Sequence, residues 1–591
     1  MKASDYIVEF LRLMGVPEFF GYQGTMIAHL VDSIERNPGV RNHSSYHEQG
    51  AAFAACGYAQ ASGNTAACYA TSGPGAINLL SGVANAYYDS LPVVFLTGQL
   101  NTYEYSGIEG LRQQGFQETN TVAMAQSVTK YVKQIWDPEE IPQALSEAWE
   151  AANEGRKGPV LLDLPMDVQR REVSVTPAEW IEKWEKEKVK EEKPKAGQAQ
   201  DAVAEIVSAL SEAKRPVFLL GGGVSRGAGE ALISLAREKS IPVVSSVLAR
   251  DRLSLSDGLY FGCLGGAYGH RYANMIVSAK ADLLISFGMS LCTRETGTKV
   301  SAFATGAKIV RVDIDPYALQ RRLHPEEERE KGFVADAAGV ISLLGQKKEN
   351  LPSYAEWLGV CQDIKKELTE VDDSTPERAP NRLVTALGGP LSDASCLAVD
   401  IGQHMVWTYQ SFPNPDGMRM LFSGGHGAMG YGLPAAIGAY FATGKPVACI
   451  CGDGGFQMNI QELQWVVREN IPVRMVVMNN HALGMIRHLQ RDYFDCLFAG
   501  TSEEGGFSTP DFEAVAKAYG LPAMTLPLEY FEREGALPEQ ITEFLTSSGP
   551  LLLQVQLPAG TFAYPKTCLG EGIHNQQPYA PKEVFERLMS L

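Results

Sequence analysis

The sequence predicts an α/β protein built from three doubly wound, parallel-sheet units. Short apolar runs, each fit for a strand buried on both faces, alternate with stretches whose apolar residues recur at helical spacing, and the alternation restarts twice along the chain. At 591 residues the chain is longer than a single growing core supports, so several domains are expected. Several runs also stop on glycine-rich turns, where open parallel sheets hold their ligands.

Composition narrows the function. Hydrophobic residues make up 45% and charged residues 20%, as in soluble globular proteins. A formal net charge of −18 argues against a nucleic-acid surface, which needs basic patches. No run approaches the ~20 apolar residues of a membrane span, and MKASDYIVEF lacks the apolar core of a signal peptide, so a cytoplasmic protein with no membrane contact is expected. The 10 cysteines are scattered, in neither a zinc nor a disulfide pattern, which suits buried thiols in a reducing compartment.

The first unit, residues 1–170, has strands expected over 67–69, 92–96 and 160–164. Between them His47-Glu48-Gln49-Gly50 opens a helix of small and apolar residues, placing one carboxyl in apolar surroundings. A glutamate there can also be no more than a favourable partner of the helix dipole. Residues 171–200, with the charge run KWEKEKVKEEKPKAGQAQ, read as a solvated linker. The central unit, 201–345, has strands expected over 216–220, 242–245, 283–287 and 309–314. Its Gly221-Gly222-Gly223 turn does not spell the dinucleotide fingerprint. Residues 346–380, polar and proline-punctuated, read as a second connector.

The third unit, 381–560, carries the densest chemistry, and 561–591 form a C-terminal tail. A strand over 397–400 leads to Gly402-Gln403-His404, and a glycine-rich segment follows from Ser423 to Gly430. A strand over 447–451 then stops at Gly452-Asp453-Gly454-Gly455. A helical stretch with Leu463, Val466 and Val467 leads to a strand over 473–478 that ends on Asn479-Asn480. An aspartate at one strand tip and an amide at the next supply hard oxygen ligands of the kind Mg²⁺ takes. The glycines and the helix start suit a phosphate.

GDG followed at this interval by NN resembles the thiamine-diphosphate motif. With it, HEQGAAFAACGYA, TSGPGAINLL, Thr97-Gly98-Gln99, Phe116-Gln117-Glu118, Thr129-Lys130, GQH and SGGHGAMG resemble the acetolactate synthase (acetohydroxyacid synthase) large-subunit-like family. The resemblance covers residues 1 to about 560 and implies pyrimidine-binding, central and diphosphate-binding domains. It implies that Asp453, Asn480 and the carbonyl of Ala482 hold Mg²⁺, and that Gly402, Gln403, His404, Gly452, Gly454 and Gly455 surround the cofactor diphosphate. Glu48 would contact the aminopyrimidine ring and drive its proton relay, the Gly427 carbonyl would accept the 4′-amino proton, and Met429 would wedge between the rings. Gly24 and Gln117 are the implied contacts to reacting oxygens, and Arg294 to an acceptor carboxylate. In the central unit GAYGHRYAN, with Gly222, Gly266 and Asp313, matches stretches that cradle a structural FAD.

The implied reaction decarboxylates pyruvate and transfers the acetyl (hydroxyethyl) unit to a second carbonyl compound. The alternatives are transfer to a nucleotide-linked keto sugar, and a thiamine-dependent C–C hydrolase or flavin-coupled oxidase. A homodimer or homotetramer is implied, and the resemblance allows a regulatory small subunit. Three departures bear on the acceptor. Leu489 stands where the synthase has tryptophan, Gln23-Gly24-Thr25-Met26 replaces its PGGA loop, and the tail looks more like those of synthase-like proteins from surface-polysaccharide and branched-sugar pathways. Leu489 either opens the acceptor pocket or packs beneath that tail.

Overall fold

The computed structural model describes residues 1–108, 110–188, 197–324, 326–527, 530 and 537–591. Three six-stranded parallel sheets carry the architecture. The first comprises β1 (Glu18–Gly21), β2 (Arg41–Ser44), β3 (Ala66–Ala70), β4 (Val93–Gln99), β5 (Tyr131–Gln134) and β6 (Val160–Pro165), ordered 2-1-3-4-6-5. The central sheet comprises β7 (Pro216–Leu220), β8 (Val243–Ser245), β9 (Tyr260–Cys263), β10 (Leu283–Phe287), β11 (Lys308–Asp313) and β12 (Glu330–Val334), ordered 12-11-10-7-8-9. The third comprises β13 (Cys396–Val399), β14 (Arg419–Phe422), β15 (Val447–Gly452), β16 (Val473–Asn479), β17 (Ala523–Leu526) and β18 (Leu551–Gln556), ordered 14-13-15-16-18-17. The first and third orders are the same sequence of positions, so the two units repeat one topology. Central strands such as β3, β15 and β16 are buried along their whole length, the cause of their near-continuous apolar runs. Among the described residues no helix is long and apolar enough to cross a membrane.

Three expectations need correction. The charge run after 170 does not begin as a linker. Pro177–Lys188 is a helix, and the indoles of Trp180 and Trp184 donate to Ser146 (2.9 Å) and Glu150 (3.0 Å) of the first unit. Its charges hid a two-tryptophan docking face, while residues 189–196 lie outside the described residues. The expected connector 346–380 contains the helix Ala355–Asp373. Its Trp357, Cys361, Ile364 and Leu368 recur at helical spacing and are buried in the central core. The tail also folds back. A short antiparallel ladder, β19 (Lys566–Thr567) with β20 (Gln576–Gln577), lies ahead of the helix Lys582–Ser590, and Ile573 and Leu588 join the central core.

The first and third units share one apolar cluster. Its centre is the crossing of helices Glu48–Ser62 and Gly432–Thr443, where Gly57 meets the backbone of Ala435 and Gly438 that of Ala54, leaving no room for a side chain. Beside this crossing His43 is buried between two carboxylates. Its Nε2 is 2.6 Å from Glu18, its Nδ1 makes a 3.5 Å ion-pair contact with Glu469 of the third unit, and Phe441 stacks on its ring at 3.7 Å. Burial alone would lower its pKa, but the bonds to Glu18 and Glu469 outweigh it and raise the pKa above 6.5. A base raised in this way gives its full stability below its unfolded pKa and loses it as pH climbs through the folded value. Replacing His43→Gln should therefore cost about 3 kcal/mol at pH 6, and progressively less above it. Thermal unfolding of both proteins at pH 6 and pH 8.5 checks this, and an equal loss at both values would contradict it.

Candidate active site

The site is best built from the third sheet. Strands β15 and β16 are neighbours, so Gly452-Asp453 and Asn479-Asn480 emerge side by side at their carboxyl ends. Asp453 starts the short helix Asp453–Met458, and its carboxylate accepts N–H from Gly454 (2.7 Å) and Ala482 (3.2 Å). Asn480 donates to Gln403 Oε1 at 3.1 Å, which turns its amide towards the Gly402-Gln403-His404 turn that follows β13. The glycines are required by close approach: a Cβ at Gly452 would lie 2.8 Å from the His404 ring, and one at Gly454 2.5 Å from Leu483 and 3.2 Å from the tip of Met429. Gln403, His404, Asp453, Asn480, Ala482 and Met429 thus form one cradle.

What this cradle would take can be read from its unsatisfied groups. Gln403 Nε2 and His404 Nε2 are buried without a hydrogen-bond partner. Burial pushes the Asp453 carboxyl up to about 6, although two backbone N–H groups favour its charge. Burial holds His404 neutral, with its pKa down at about 3. Among the described residues no cluster of three or more His, Cys, Asp or Glu could hold a metal. A cation at Asp453 and Asn480 would then need further oxygens from a ligand, as a diphosphate provides. The residues present fit a Mg²⁺-diphosphate group.

A second group lies in the first unit, around the turn Thr71–Gly75 after β3. Glu48 is the first residue of its helix, 7% exposed, and accepts a hydrogen bond from Asn78 at 3.1 Å. A Cβ at Gly75 would come within 3.1 Å of its carboxyl. Gly24 lies against Thr71, and Gln117, with φ +63°, lies over Gly73. Glu48, Gly24 and Gln117 are therefore brought together. Among the described residues no hydrogen bond joins this group to Asp453 or Asn480. The link between them is indirect: Asn459, just past the Asp453 helix, donates to Gln49 at 3.2 Å, and Tyr46 N–H donates to Glu462.

Arg294 comes from the central unit, and its guanidinium donates to the Gly424 carbonyl in the segment bearing Gly427 and Met429. Gly427 has φ +70°, the left-handed region that favours glycine. The remaining central positions stand apart from the cradle. Gly222 lies under Leu248, Gly266 is buried against Gly297, and Asp313 accepts the N–H of Asp315 at 2.9 Å. Leu489 is 38% exposed on the helix Gly484–Tyr493, one turn from Tyr493, whose hydroxyl accepts the N–H of the tail's Leu569 at 3.1 Å. The tail's Phe562 and Tyr564 cover the neighbouring His488.

Sequence reasoning missed the residues that shape the glycine-rich segment. Asp89 accepts the N–H groups of Gly425 (2.5 Å) and Gly424 (3.1 Å), and Asp400 those of Gly430 (3.1 Å) and Gly432 (2.8 Å). Burial raises their pKa values to about 7 and about 6. Glu462, fully buried and pushed up to about 7 by that burial, does the same for the turn leading to Glu48, accepting the N–H of Tyr46. Only an aspartate ending an apolar run, as at Asp400, left any trace in the sequence.

Comparison with known proteins agrees with this layout. Residues 1–124 match the N-terminal TPP binding domain of thiamine pyrophosphate enzymes, 203–344 their central domain and 400–555 their C-terminal TPP binding domain. The chain is 34% identical to acetolactate synthase 1, chloroplastic, of Oryza sativa subsp. japonica, across 94% of this chain and 85% of that protein. It is 33% identical to the acetolactate synthase isozyme 2 large subunit of Escherichia coli (strain K12), across 94% of this chain and 96% of the relative.

The two N–H bonds to Asp89 make the segment's shape testable without any ligand. Losing a hydrogen bond to a charged acceptor costs about 1.5–3 kcal/mol, so Asp89→Ala should speed amide exchange at Gly424 and Gly425 roughly tenfold or more. Hydrogen exchange read by mass spectrometry checks this against unchanged protection in β16. Equal protection in both proteins would mean that the segment holds its shape without Asp89.

Proposed function

We propose, from the premise that this chain belongs to the thiamine pyrophosphate enzymes and among them to the acetolactate synthase family, that its acceptor is a second 2-ketoacid, pyruvate in the first instance. The chain is a thiamine-diphosphate-dependent carboligase that decarboxylates pyruvate and passes a two-carbon unit to a second carbonyl compound. The observation that supports its site most directly is the cradle of Asp453, Asn480 and Gln403 at adjacent strand ends, with the buried Nε2 atoms of Gln403 and His404 left without partners.

Thiamine diphosphate, when bound, supplies the carbon that attacks the keto group of pyruvate and accepts the electrons as carbon dioxide leaves. In our reading Asp453, Asn480 and the Ala482 carbonyl hold Mg²⁺, and the free Nε2 atoms of Gln403 and His404 face the diphosphate. Met429, packed against Gly454, would support the cofactor, and the Gly427 carbonyl would accept a hydrogen bond from its amine. Glu48, almost dry and oriented by Asn78, holds and returns the proton that the pyrimidine ring exchanges. Gln117 and the Gly24 backbone are placed to meet the reacting oxygens, and Arg294 to meet the acceptor carboxylate. Decarboxylation followed by carboligation is redox-neutral, so no step needs a flavin.

We also read the working unit as at least a homodimer. Glu48 and Asp453 belong to separate groups within one chain, and Ile77, Tyr88, Phe116 and Met458 near them stay exposed. A second copy would complete each site and cover these residues. Sedimentation in the presence of cofactor tests this reading, and an active, cofactor-loaded monomer would end it.

Glu48→Gln should reduce turnover by at least ~100-fold, the scale of lost acid–base catalysis, and leave cofactor affinity nearly unchanged. Asp453→Ala should do the reverse, costing ~10- to 100-fold or more in cofactor and Mg²⁺ affinity. Calorimetric titration alongside carbon dioxide release separates the two. A Glu48→Gln enzyme turning over at the normal rate would remove the glutamate from the proton relay.

The exposed Leu489 favours a second reading in which the acceptor side is open to bulkier carbonyl compounds, including a nucleotide-linked keto sugar. A methylene in an apolar pocket is worth ~1–3 kcal/mol only where a wall touches it. With leucine in place of tryptophan that wall is short, so the wild-type enzyme should discriminate poorly between pyruvate and 2-ketobutyrate as acceptors. Leu489→Trp should raise the ketobutyrate preference and exclude bulky acceptors. Product ratios from mixed substrates decide, and a wild-type ratio strongly favouring the ketobutyrate product would place the discrimination elsewhere.

A further inference from the structure

The central unit contains the stretches expected to cradle a flavin, and each of them is already in contact with another part of the chain. A glycine-rich turn holds a diphosphate by leaving its N–H groups free. Here Gly221 N–H donates to Phe287 (2.9 Å), Gly223 N–H to Gly288 (3.0 Å) and Val224 N–H back to Gly221 (3.3 Å). Leu248 covers Gly222, at 2.7 Å from where a Cβ would stand, and the same side chain reaches Gly424 at 2.6 Å from its Cβ position. It therefore spans the gap between the expected flavin turn and the glycine-rich segment of the third unit.

The second half of the cradle is closed by the tail. Gly266 N–H donates to Arg294 O at 2.5 Å, and its Cβ position lies 2.5 Å from the Gly297 nitrogen, so these two stretches touch each other directly. On the outer side of Gly297, Ile573 approaches to 2.6 Å of its Cβ position. Thr567 N–H donates to Ala267 O (2.8 Å), Gln576 Nε2 to Gly269 O (3.1 Å) and Arg271 Nη1 to Gln576 O (2.7 Å). Ile573 is 1% exposed and part of the central core, so this is a packed joint and not a loose flap. The same strand ties the far side down. Lys566 pairs with Asp492, and Tyr564 accepts a hydrogen bond from Arg491 at 2.9 Å, both on the helix Gly484–Tyr493.

We propose that the C-terminal hairpin 566–577, together with Leu248, takes the place of a flavin, so that the central unit folds and supports the site without FAD. The hairpin joins the loop 266–271 to the helix Gly484–Tyr493, so that a segment of the chain itself makes the contacts a bound structural cofactor would otherwise make. No redox step is lost, because the carboligation needs none. The inference concerns the central unit alone and does not depend on the identity of the acceptor.

The test uses the full-length protein as purified, then incubated with excess FAD in the presence of thiamine diphosphate and Mg²⁺. Absorbance near the flavin maximum and fluorescence of the supernatant after denaturation should reveal no stoichiometric flavin. A titration followed by flavin fluorescence should show no saturable change. Hydrogen exchange across 566–577 should be equally protected with and without FAD. Flavin retained at one per chain, saturable uptake, or loss of hairpin protection on adding FAD would each overturn the proposal.

Discussion

The contact on which the other relationships depend is the glycine-to-backbone crossing of the helices Glu48–Ser62 and Gly432–Thr443. At Gly57 and Gly438 the partner backbone occupies the volume a side chain would need. One helix delivers Glu48 at its start. The other leaves the segment carrying Gly427 and Met429 and returns into β15, which ends at Gly452, just before Asp453. Their separation fixes how the two chemical groups are oriented. A methyl inserted at either glycine would press on backbone atoms, which cannot rotate away as a side chain can. The Gln49–Asn459 and Tyr46–Glu462 bonds beside Glu48 cross the same interface and would have to stretch with it.

Buried carboxylates make this joint specific as well as close. Asp89, Asp400 and Glu462 each accept backbone N–H groups from loops around the site, and burial raises the pKa of each. A buried carboxylate without donors would be costly, so each loop is held to the shape that supplies them. Asp453 accepts two N–H groups in the same way, but in its cradle the Nε2 atoms of Gln403 and His404 are buried without partners. In our proposal that difference separates a carboxylate that organises backbone from one that takes part in holding a ligand.

The fold class was legible because its strands are buried on both faces, and such strands write uninterrupted apolar runs. β3, β7, β10, β15 and β16 could be read in this way. Edge strands such as β2, β5 and β12 are partly exposed and compositionally mixed, so they left no such signal. The cradle was legible because glycines and acid or amide residues at strand tips are local features. The long-range holders, Asp89 and Glu462, were not, since nothing in the sequence near Asp89 announces Gly424 or Gly425. The helices Pro177–Lys188 and Ala355–Asp373 were masked by charge density, although Trp357, Cys361, Ile364 and Leu368 form a helical stripe once they are counted.

The helix Gly484–Tyr493 carries both the joint to the C-terminal tail and residue 489, the position our proposal gives to the acceptor side. Its inner face is committed: His488 is buried against Phe562 and Tyr564, and Asp492 and Arg491 are engaged by the tail. Its other face carries Ile486 and Leu489, which are 50% and 38% exposed and three residues apart, while Tyr493, next on that face, is held by the tail, its hydroxyl accepting the N–H of Leu569 at 3.1 Å. Residues at that spacing form one stripe, here exposed at Ile486 and Leu489 and met by the tail at Tyr493. In our proposal the tail holds the helix while the identity of residue 489 sets how much apolar wall an acceptor meets, so one short helix would carry both anchoring and selectivity.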